Sequence, residues 1–188
     1  MIFMTDWKIR SDFKMKKFLI VVDMQGDFIN MALGTKEAEA IIPEAVKKIR
    51  EFEGKIFVTM DTHYENYMQT SEGKNLPVPH CIKGTEGWKL DKRIENALEG
   101  KDFTVIEKNT FGSVDLPEKI REDAGEEIFV AEMTGLCTDI CVVSNALLLK
   151  AYFPEALISV DSKCCAGVTP ELHNAALATM KSCQIVIE

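Results

Sequence analysis

The sequence lacks two features that would assign it to a membrane or to a nucleic acid. No apolar run approaches the ~18 residues that a membrane-spanning helix needs, and lysine and arginine form no cluster of the kind that binds phosphates. The formal net charge is -8, because 30 acidic side chains outnumber 22 basic ones. We therefore expect neither a membrane nor a nucleic acid as a partner.

Cysteine is too sparse for a disulfide scaffold. The six cysteines are spread over 188 residues, and neighbours such as Cys164 and Cys165 are too close in sequence to be obvious cross-links. The apolar run that follows Met15 resembles the start of a signal peptide, but it stops at Asp23 without a small-residue cleavage site. We expect reduced thiols in a cytoplasmic protein.

Strand-like and helix-like segments alternate along the chain, without repeats or low-complexity linkers. Most predicted strands are continuous runs of Val, Ile, Leu and Phe, which is typical of parallel strands buried on both faces. The strands are predicted at 17–23, 55–60, 103–107, 127–132, 156–161 and 184–187. The helices are predicted at 36–53, with Thr35 as N-cap, and at 90–99, 116–124, 138–151 and 170–182. This pattern predicts an α/β fold of three layers, α/β/α, around a six-stranded, mainly parallel sheet.

Reactive side chains follow the predicted strand ends. They are Asp23, Asp61, His63, Lys108 and the turn that carries Cys141. In open parallel sheets the ligand site lies beyond the carboxyl ends of the strands. Five reactive groups on one rim therefore predict a functional site at this edge.

Residues 135–143, Gly-Leu-Cys-Thr-Asp-Ile-Cys-Val-Val, are typical of a strand that turns into a helix, with Cys141 in the first helical turn. Thr138 is the predicted N-cap, which leaves the amides near Cys141 unpaired. The positive helix end is expected to lower the pKa of the thiol, and the free amides to stabilise an oxyanion. The alternative interpretation of Cys141 is a small buried residue.

The chain has only three histidines, so the base for a cysteine nucleophile is predicted among the carboxylates. His63 and His80 are better explained as metal ligands together with Asp61, a set that suits zinc first, and also iron or manganese. A hydrogen-bonded structural pair is the alternative for Asp61 and His63. His173, inside the last helix, is expected to be a surface or packing residue. Asp23 is the remaining candidate base.

Three sequence blocks, in this order, carry a resemblance to a known family. They are Asp23-Met24-Gln25-Gly26-Asp27-Phe28, His80-Cys81-Ile82-Lys83-Gly84-Thr85 and Thr138-Asp139-Ile140-Cys141-Val142. The chain resembles the isochorismatase-like cysteine hydrolases, and most closely the nicotinamidases and pyrazinamidases. The resemblance runs from about residue 16 to the C-terminus. It implies a single domain over residues 15–188, with residues 1–14 as an N-terminal extension.

The resemblance implies roles for individual residues. Asp23, Lys108 and Cys141 correspond to a catalytic triad, in which Lys108 holds the carboxylate and the thiol and favours the thiolate. The backbone amides of Cys137 and Cys141 correspond to an oxyanion hole, with a cis peptide bond between Leu136 and Cys137.

Two further positions follow from the same resemblance. Glu72, nine residues after His63, corresponds to a fourth metal ligand, and Phe28 to an aromatic residue of the substrate pocket. The sequence departs from the family where nicotinamidases commonly have a tryptophan, because Leu76, Pro77 and Val78 occupy that stretch.

Three functions are compatible with these observations. The first is a metal-dependent cysteine amidohydrolase that converts a small carboxamide, nicotinamide in the first instance, to acid and ammonia through a Cys141 thioester. The second is a related cysteine hydrolase acting on another small amide, carbamoyl or ureido compound. The third is a metal- or thiol-sensing α/β module without enzymatic activity. We expect a small-molecule substrate and a homo-oligomer.

Overall fold

Six parallel strands form one sheet in the computed structural model, which describes residues 15–188. Their order across the sheet is β3-β2-β1-β4-β5-β6. The strands are β1 (Lys16–Val22), β2 (Lys55–Asp61), β3 (Phe103–Lys108), β4 (Phe129–Leu136), β5 (Leu157–Ala166) and β6 (Val186–Ile187). Every pairing is parallel, so the predicted fold class is confirmed.

Eight α-helices are found in the described residues. They are α1 (Gly26–Ile29), α2 (Lys36–Ala40), α3 (Ile42–Glu51), α4 (Ser71–Asn75), α5 (Lys92–Leu98), α6 (Asp115–Ala124), α7 (Val143–Tyr152) and α8 (Pro170–Ser182). The single helix predicted over 36–53 is wrong, because Pro43 lies in the first turn of α3 and α2 ends before it. Proline lacks an amide hydrogen and therefore starts a helix more readily than it continues one. Thr35 caps α2 as predicted, accepting a hydrogen bond from the Ala38 amide.

The core consists of two apolar layers, one on each face of the sheet. In β1, Phe18, Ile20 and Val22 point into the layer covered by α6, α7 and α8. Leu19 and Val21 point into the other layer, against α2, α3 and α5. Both faces are covered by helices, which explains why the strand sequence shows no polar alternation.

Strands β4 and β5 are longer than predicted and reach the rim at Leu136 and Ala166. Gly135 allows this extension of β4 beside β1. Its φ is +122°, and a Cβ atom there would lie 2.1 Å from the Val22 carbonyl oxygen. The two strands can therefore run in close contact up to Asp23, the first residue after β1.

The connection predicted as a loop over 61–87 contains regular structure. A 3₁₀ turn at Tyr67–Gln69 leads into α4, whose N-cap is Thr70. Glu72 is thereby placed in the first turn of α4 rather than in an irregular loop. Within residues 15–188, no helix has the length and apolar character needed to cross a membrane.

Candidate active site

A cavity of about 920 Å³ opens at the carboxyl edge of the sheet. Its lining includes Cys137 and Cys141 from the turn after β4, Asp61 and His63 from the end of β2, and Phe28 from α1. Groups that lie far apart in the sequence converge here because parallel strands all end at the same edge.

Lys108 contacts the other two residues of the triad that the resemblance implied, Asp23 and Cys141. Its Nζ atom lies 2.6 Å from Asp23 Oδ2 and 3.4 Å from Cys141 Sγ. The same atom lies 3.4 Å from Asp61 Oδ1. All four side chains are buried, so this cluster is shielded from solvent and its charges act on one another strongly.

Asp23 is held in place from its backbone and from its side chain. Its φ of 48° turns the chain sharply at the end of β1, a conformation that aspartate tolerates better than most residues. The Thr59 hydroxyl donates a hydrogen bond of 2.7 Å to Asp23 Oδ1. Burial raises the pKa of Asp23, and the hydrogen bond from Thr59 and the charge of Lys108 oppose this rise.

The Cys141 thiol has a raised pKa, which makes the prediction of a lowered pKa wrong. Burial is the main cause, since only 5% of the residue is exposed, and the Asp23 carboxylate adds to it. The charge of Lys108 lowers the pKa but does not compensate for burial. The resting side chain is therefore a thiol, which needs a base to become a nucleophile.

The turn that carries Cys141 is π-helical over Thr138–Val142, a local form that is frequent at functional sites. Cys137 occupies the N-cap position, and its carbonyl accepts hydrogen bonds from the amides of Ile140 (3.1 Å) and Val142 (3.0 Å). The peptide bond between Leu136 and Cys137 is cis, as the resemblance implied.

Thr138 is not the N-cap that the sequence predicted. Its hydroxyl lies 2.8 Å from His173 Nδ1 on α8, at hydrogen-bonding distance. His173 is therefore more than the surface or packing residue expected, because it ties α8 to the turn of Cys141. Asn145, four residues after Cys141, supports the turn from the other side. It donates to the Cys141 carbonyl (2.8 Å) and accepts from the Ser113 amide (2.9 Å).

Beside this cluster lie the four residues predicted as metal ligands, Asp61, His63, Glu72 and His80. Each offers one ligand atom, and these atoms all lie within 4.8 Å of one another. His63 Nε2 is 3.0 Å from Asp61 Oδ2, and His80 Nε2 is 3.5 Å from Glu72 Oε1. Two imidazoles and two carboxylates in this arrangement can hold a divalent metal.

The imidazole nitrogens have the environment that a metal requires. His63 Nε2 is buried and makes no aligned hydrogen bond, although Asp61 is near. His80 Nδ1 lies 2.8 Å from the Val78 carbonyl, and donation to this oxygen leaves Nε2 as the ligand atom. We call the four residues the ligand cluster.

Charge in the ligand cluster favours a cation. Burial opposes protonation of His63, but the Asp61 and Glu72 carboxylates outweigh it and raise its pKa to about 9. The adjacent imidazoles of His63 and His80 lower the pKa of Glu72 to about 2. The two carboxylates are thus anionic and draw positive charge to the centre of the ligand cluster.

Several supporting residues were not identified from the sequence. The Gln25 side chain bonds to the backbone of Asp61 twice, accepting from its amide (2.7 Å) and donating to its carbonyl (2.9 Å). Asp27 Oδ2 accepts a hydrogen bond of 2.7 Å from the Cys81 amide, next to His80. Gln25 and Asp27 belong to the first of the three sequence blocks, but no role was predicted for either of them. The only indication that Thr59 supports the site is weak: it is a polar residue within a buried strand.

Aromatic rings surround the two histidines. Phe28 lines the cavity, as the resemblance implied, with its ring centroid 5.4 Å from that of His80. Tyr67 packs against both imidazoles, with centroids 4.8 Å from His63 and 5.1 Å from His80. Leu76 also lines the cavity, in the stretch where the sequence departs from the family.

The fold and the site define an α/β/α protein with a buried cysteine centre and a metal-ligand cluster at one sheet edge. The chain belongs to the isochorismatase family, because the family model described as Isochorismatase domain matches residues 17–188. A Bacillus subtilis relative, named uncharacterized isochorismatase family protein PncA, is 32% identical over 177 residues, which cover 87% of this chain and 93% of the relative.

Solved structures are similar over nearly the whole chain. The nicotinamidase/pyrazinamidase PncA from Bacillus subtilis has a TM-score of 0.79 at 29% identity and covers 92% of this chain and 99% of its own. The pyrazinamidase of Pyrococcus horikoshii, in complex with zinc, has a TM-score of 0.76 at 27% identity, with 92% and 98% covered.

Proposed function

We propose that the protein is a metal-dependent cysteine amidohydrolase that hydrolyses nicotinamide to nicotinate and ammonia. The observation that carries the proposal is the contact of Lys108 Nζ with both Asp23 and Cys141 at the edge of the cavity. The names of the similar proteins, nicotinamidase and pyrazinamidase, support this choice of substrate.

The first half of the reaction forms a thioester. Asp23 accepts the Cys141 proton, and the thiolate attacks the carboxamide carbon. The negative charge that develops on the carboxamide oxygen is stabilised by the backbone amides of Cys137 and Cys141. The positive charge of Lys108 favours the ionised form of Asp23 before the transfer and the thiolate after it. Asp23 then returns the proton to the departing nitrogen, and ammonia leaves.

The second half releases the acid. Asp23, ionised again, takes a proton from water, whose oxygen attacks the thioester carbon. Collapse of this intermediate breaks the C–S bond, and the proton returns from Asp23 to Cys141. The acid leaves and the resting thiol is restored, so one residue serves as base and acid in both halves.

Asp61, His63, Glu72 and His80 would hold the metal, for which we propose zinc, with iron or manganese as substitutes. The chemistry that such a cation supplies when bound is Lewis acidity, which orients a substrate nitrogen or lowers the pKa of water. The zinc complex of the Pyrococcus horikoshii protein supports zinc.

We further propose a cytoplasmic homo-oligomer, in which residues 1–14 are an extension of the single domain. The low cysteine content supports a reducing compartment. The edge strand β3 exposes 41% of Phe103 and 43% of Val105, which supports contact with a second copy. Light scattering on the purified chain measures the oligomeric state.

The test of the activity is ammonia release from nicotinamide by metal-loaded protein. We expect Cys141→Ala, Asp23→Asn and Lys108→Ala each to lose nearly all turnover, and their double variants to lose little more, because the three act as a unit. Cys137→Ala is the matched control. It removes the neighbouring thiol but keeps the backbone amide, so most activity should remain.

Mass spectrometry of a quenched reaction identifies the nucleophile. An acyl adduct should map to Cys141. An adduct on Cys137, or full activity in Cys141→Ala, contradicts the mechanism. Ammonia release from a ureido or carbamoyl compound in place of nicotinamide would assign the chain to the second function considered above.

A further inference from the structure

The segment that connects β3 to α6 borders the cavity of Cys141. The residues of this segment that line the cavity are Asn109, Thr110 and Phe111. The segment also lines a second cavity of about 320 Å³, to which Ser113 contributes. We call residues 109–113 the β3–α6 segment. Because it faces open space in two places, close packing restrains it less than it restrains a buried segment.

The backbone of the β3–α6 segment has few partners. In the part of the chain that the structure describes, residues 110–113 make no hydrogen bond with another backbone group. The Thr110 hydroxyl donates to the Gly112 carbonyl (2.7 Å), but this bond lies within the segment. Phe111 is 47% exposed, so burial does not hold its side chain in the cavity wall. The position of the segment therefore depends on a side chain from a neighbouring element.

Asn145 on α7 provides that side chain. Its Oδ1 atom accepts a hydrogen bond from the Ser113 amide (2.9 Å), and its Nδ2 atom donates to the Phe111 carbonyl (3.2 Å). The same Nδ2 atom donates to the Cys141 carbonyl (2.8 Å). Asn145 is fully buried, so water does not compete for these bonds. One side-chain amide thus joins the β3–α6 segment to the turn of the proposed nucleophile.

The bonds of Asn145 fix this part of the cavity wall before a ligand arrives. Without them the segment would sample several positions, and a substrate would have to order it on binding. The proton-transfer groups are held independently. Asp23 accepts from Thr59, and the Lys108 carbonyl, directly before the segment, accepts from the Thr62 amide (2.7 Å). Loss of the Asn145 bonds should therefore weaken substrate binding more than it slows the chemical step.

We propose that Asn145 is a positioning residue for the substrate, which holds the β3–α6 segment against the turn of Cys141 and so keeps Phe111 in the cavity wall. The inference rests on the proposed amidase function and adds the residue that preorganises this part of the site. It predicts that loss of the Asn145 bonds raises KM more than it lowers kcat, and that the effect on KM passes through Phe111.

Asn145→Ser separates the two ends of this link. A serine on a helix can still bond to the carbonyl four residues earlier, here that of Cys141, but its shorter side chain loses Ser113 and Phe111. Since one hydrogen bond contributes about 2- to 10-fold, KM for nicotinamide should rise about fivefold or more, with kcat within about threefold. Ser144→Ala, at the preceding position of α7, is the matched control. It leaves the Asn145 bonds in place and should change neither constant.

A double-mutant cycle and hydrogen exchange test how the effect is transmitted. In a Phe111→Ala background, Asn145→Ser should change KM by less than about twofold, because the side chain that it positions is already absent. The Ser113 amide bonds to Asn145 Oδ1 in the parent. Its exchange with deuterium should therefore be about tenfold faster or more in Asn145→Ser. This measurement needs no turnover.

The outcomes separate the inference from the proposed function. An equal rise in KM with and without Phe111, or a lower kcat at unchanged KM, overturns the inference, and so does unchanged exchange of the Ser113 amide. If the parent hydrolyses no amide, the proposed function fails. Faster exchange in Asn145→Ser then still supports the hold of Asn145 on the segment, and unchanged exchange refutes it. Asn145→Ala, which loses all three bonds, replaces Asn145→Ser if that variant does not fold, and the same exchange and KM outcomes decide.

Discussion

The hydrogen bond from Thr59 to Asp23 gives a sharp test of Asp23 as the general base. Thr59→Val keeps the shape of a fully buried side chain but removes the hydroxyl that donates to Asp23 Oδ1 at 2.7 Å. A hydrogen bond to a charged group contributes about 1.5–3 kcal/mol. Since about 1.4 kcal/mol corresponds to a factor of ten, loss of the bond should disfavour the ionised carboxylate by about 10- to 100-fold and so raise the pKa of Asp23.

The sign of the effect follows from the role of the base. Asp23 must be ionised to accept the Cys141 proton, so kcat/KM falls as the pH drops through its pKa. In Thr59→Val this acid limb should move to higher pH, and activity should recover at higher pH. A merely damaged fold would lower kcat/KM at every pH.

The assay is the pH dependence of ammonia release, on proteins whose folding is checked by circular dichroism. Thr104→Val is the matched control, because Thr104 lies near the amino end of β3, at the opposite edge of the sheet. Its acid limb should coincide with that of the parent. An unshifted acid limb in folded Thr59→Val would refute Asp23 as the titrating base.

Three further predictions concern the support of the site. His173→Leu should lower kcat about two- to tenfold with little change in KM, whereas His173→Asn should retain more activity because its amide can still bond to Thr138; equal losses in both variants would contradict the role of this bond. Removal of the metal with a chelator should abolish activity without unfolding the protein, and addition of zinc, iron or manganese should restore it. Elemental analysis after dialysis should find less metal in Glu72→Gln than in the parent. Full activity in metal-free protein would exclude a catalytic metal. Deletion of residues 1–14 should leave turnover within a few-fold, and complete inactivity of a folded truncation would contradict their role as an extension.

The sheet was predictable because its strands are buried on both faces. The continuous apolar runs at 17–23 and 55–60 are typical of strands in a covered parallel sheet, and they correspond to β1 and β2 within one residue at each end. Helix boundaries were less predictable. The apolar face from residue 41 to 52 belongs almost entirely to α3, and Pro43 in the first turn of that helix was a signal for the break that the prediction missed.

The positions of the candidate site residues followed from the strand ends, but their environment did not. Burial of Cys141, which reverses the expected pKa shift, depends on helices packed from distant parts of the chain. The hydrogen bonds of Thr59 and Gln25 likewise depend on how β1 and β2 are aligned. Thr138 illustrates the same limit. The local sequence predicts that it caps a helix, but its hydroxyl lies at hydrogen-bonding distance from His173, 35 residues further along the chain.

The ammonium group of Lys108 is a counter-ion shared by two carboxylates, Asp23 at 2.6 Å and Asp61 at 3.4 Å. The nucleophile and the ligand cluster are therefore not electrostatically independent. Replacement of Asp61 would remove a ligand and also change the charge balance around the thiol, even in protein that retained its metal. His63 and His80 offer candidate ligand nitrogens and make no ion pair with this lysine, so we expect their variants to report on metal binding more directly than any substitution of Asp61.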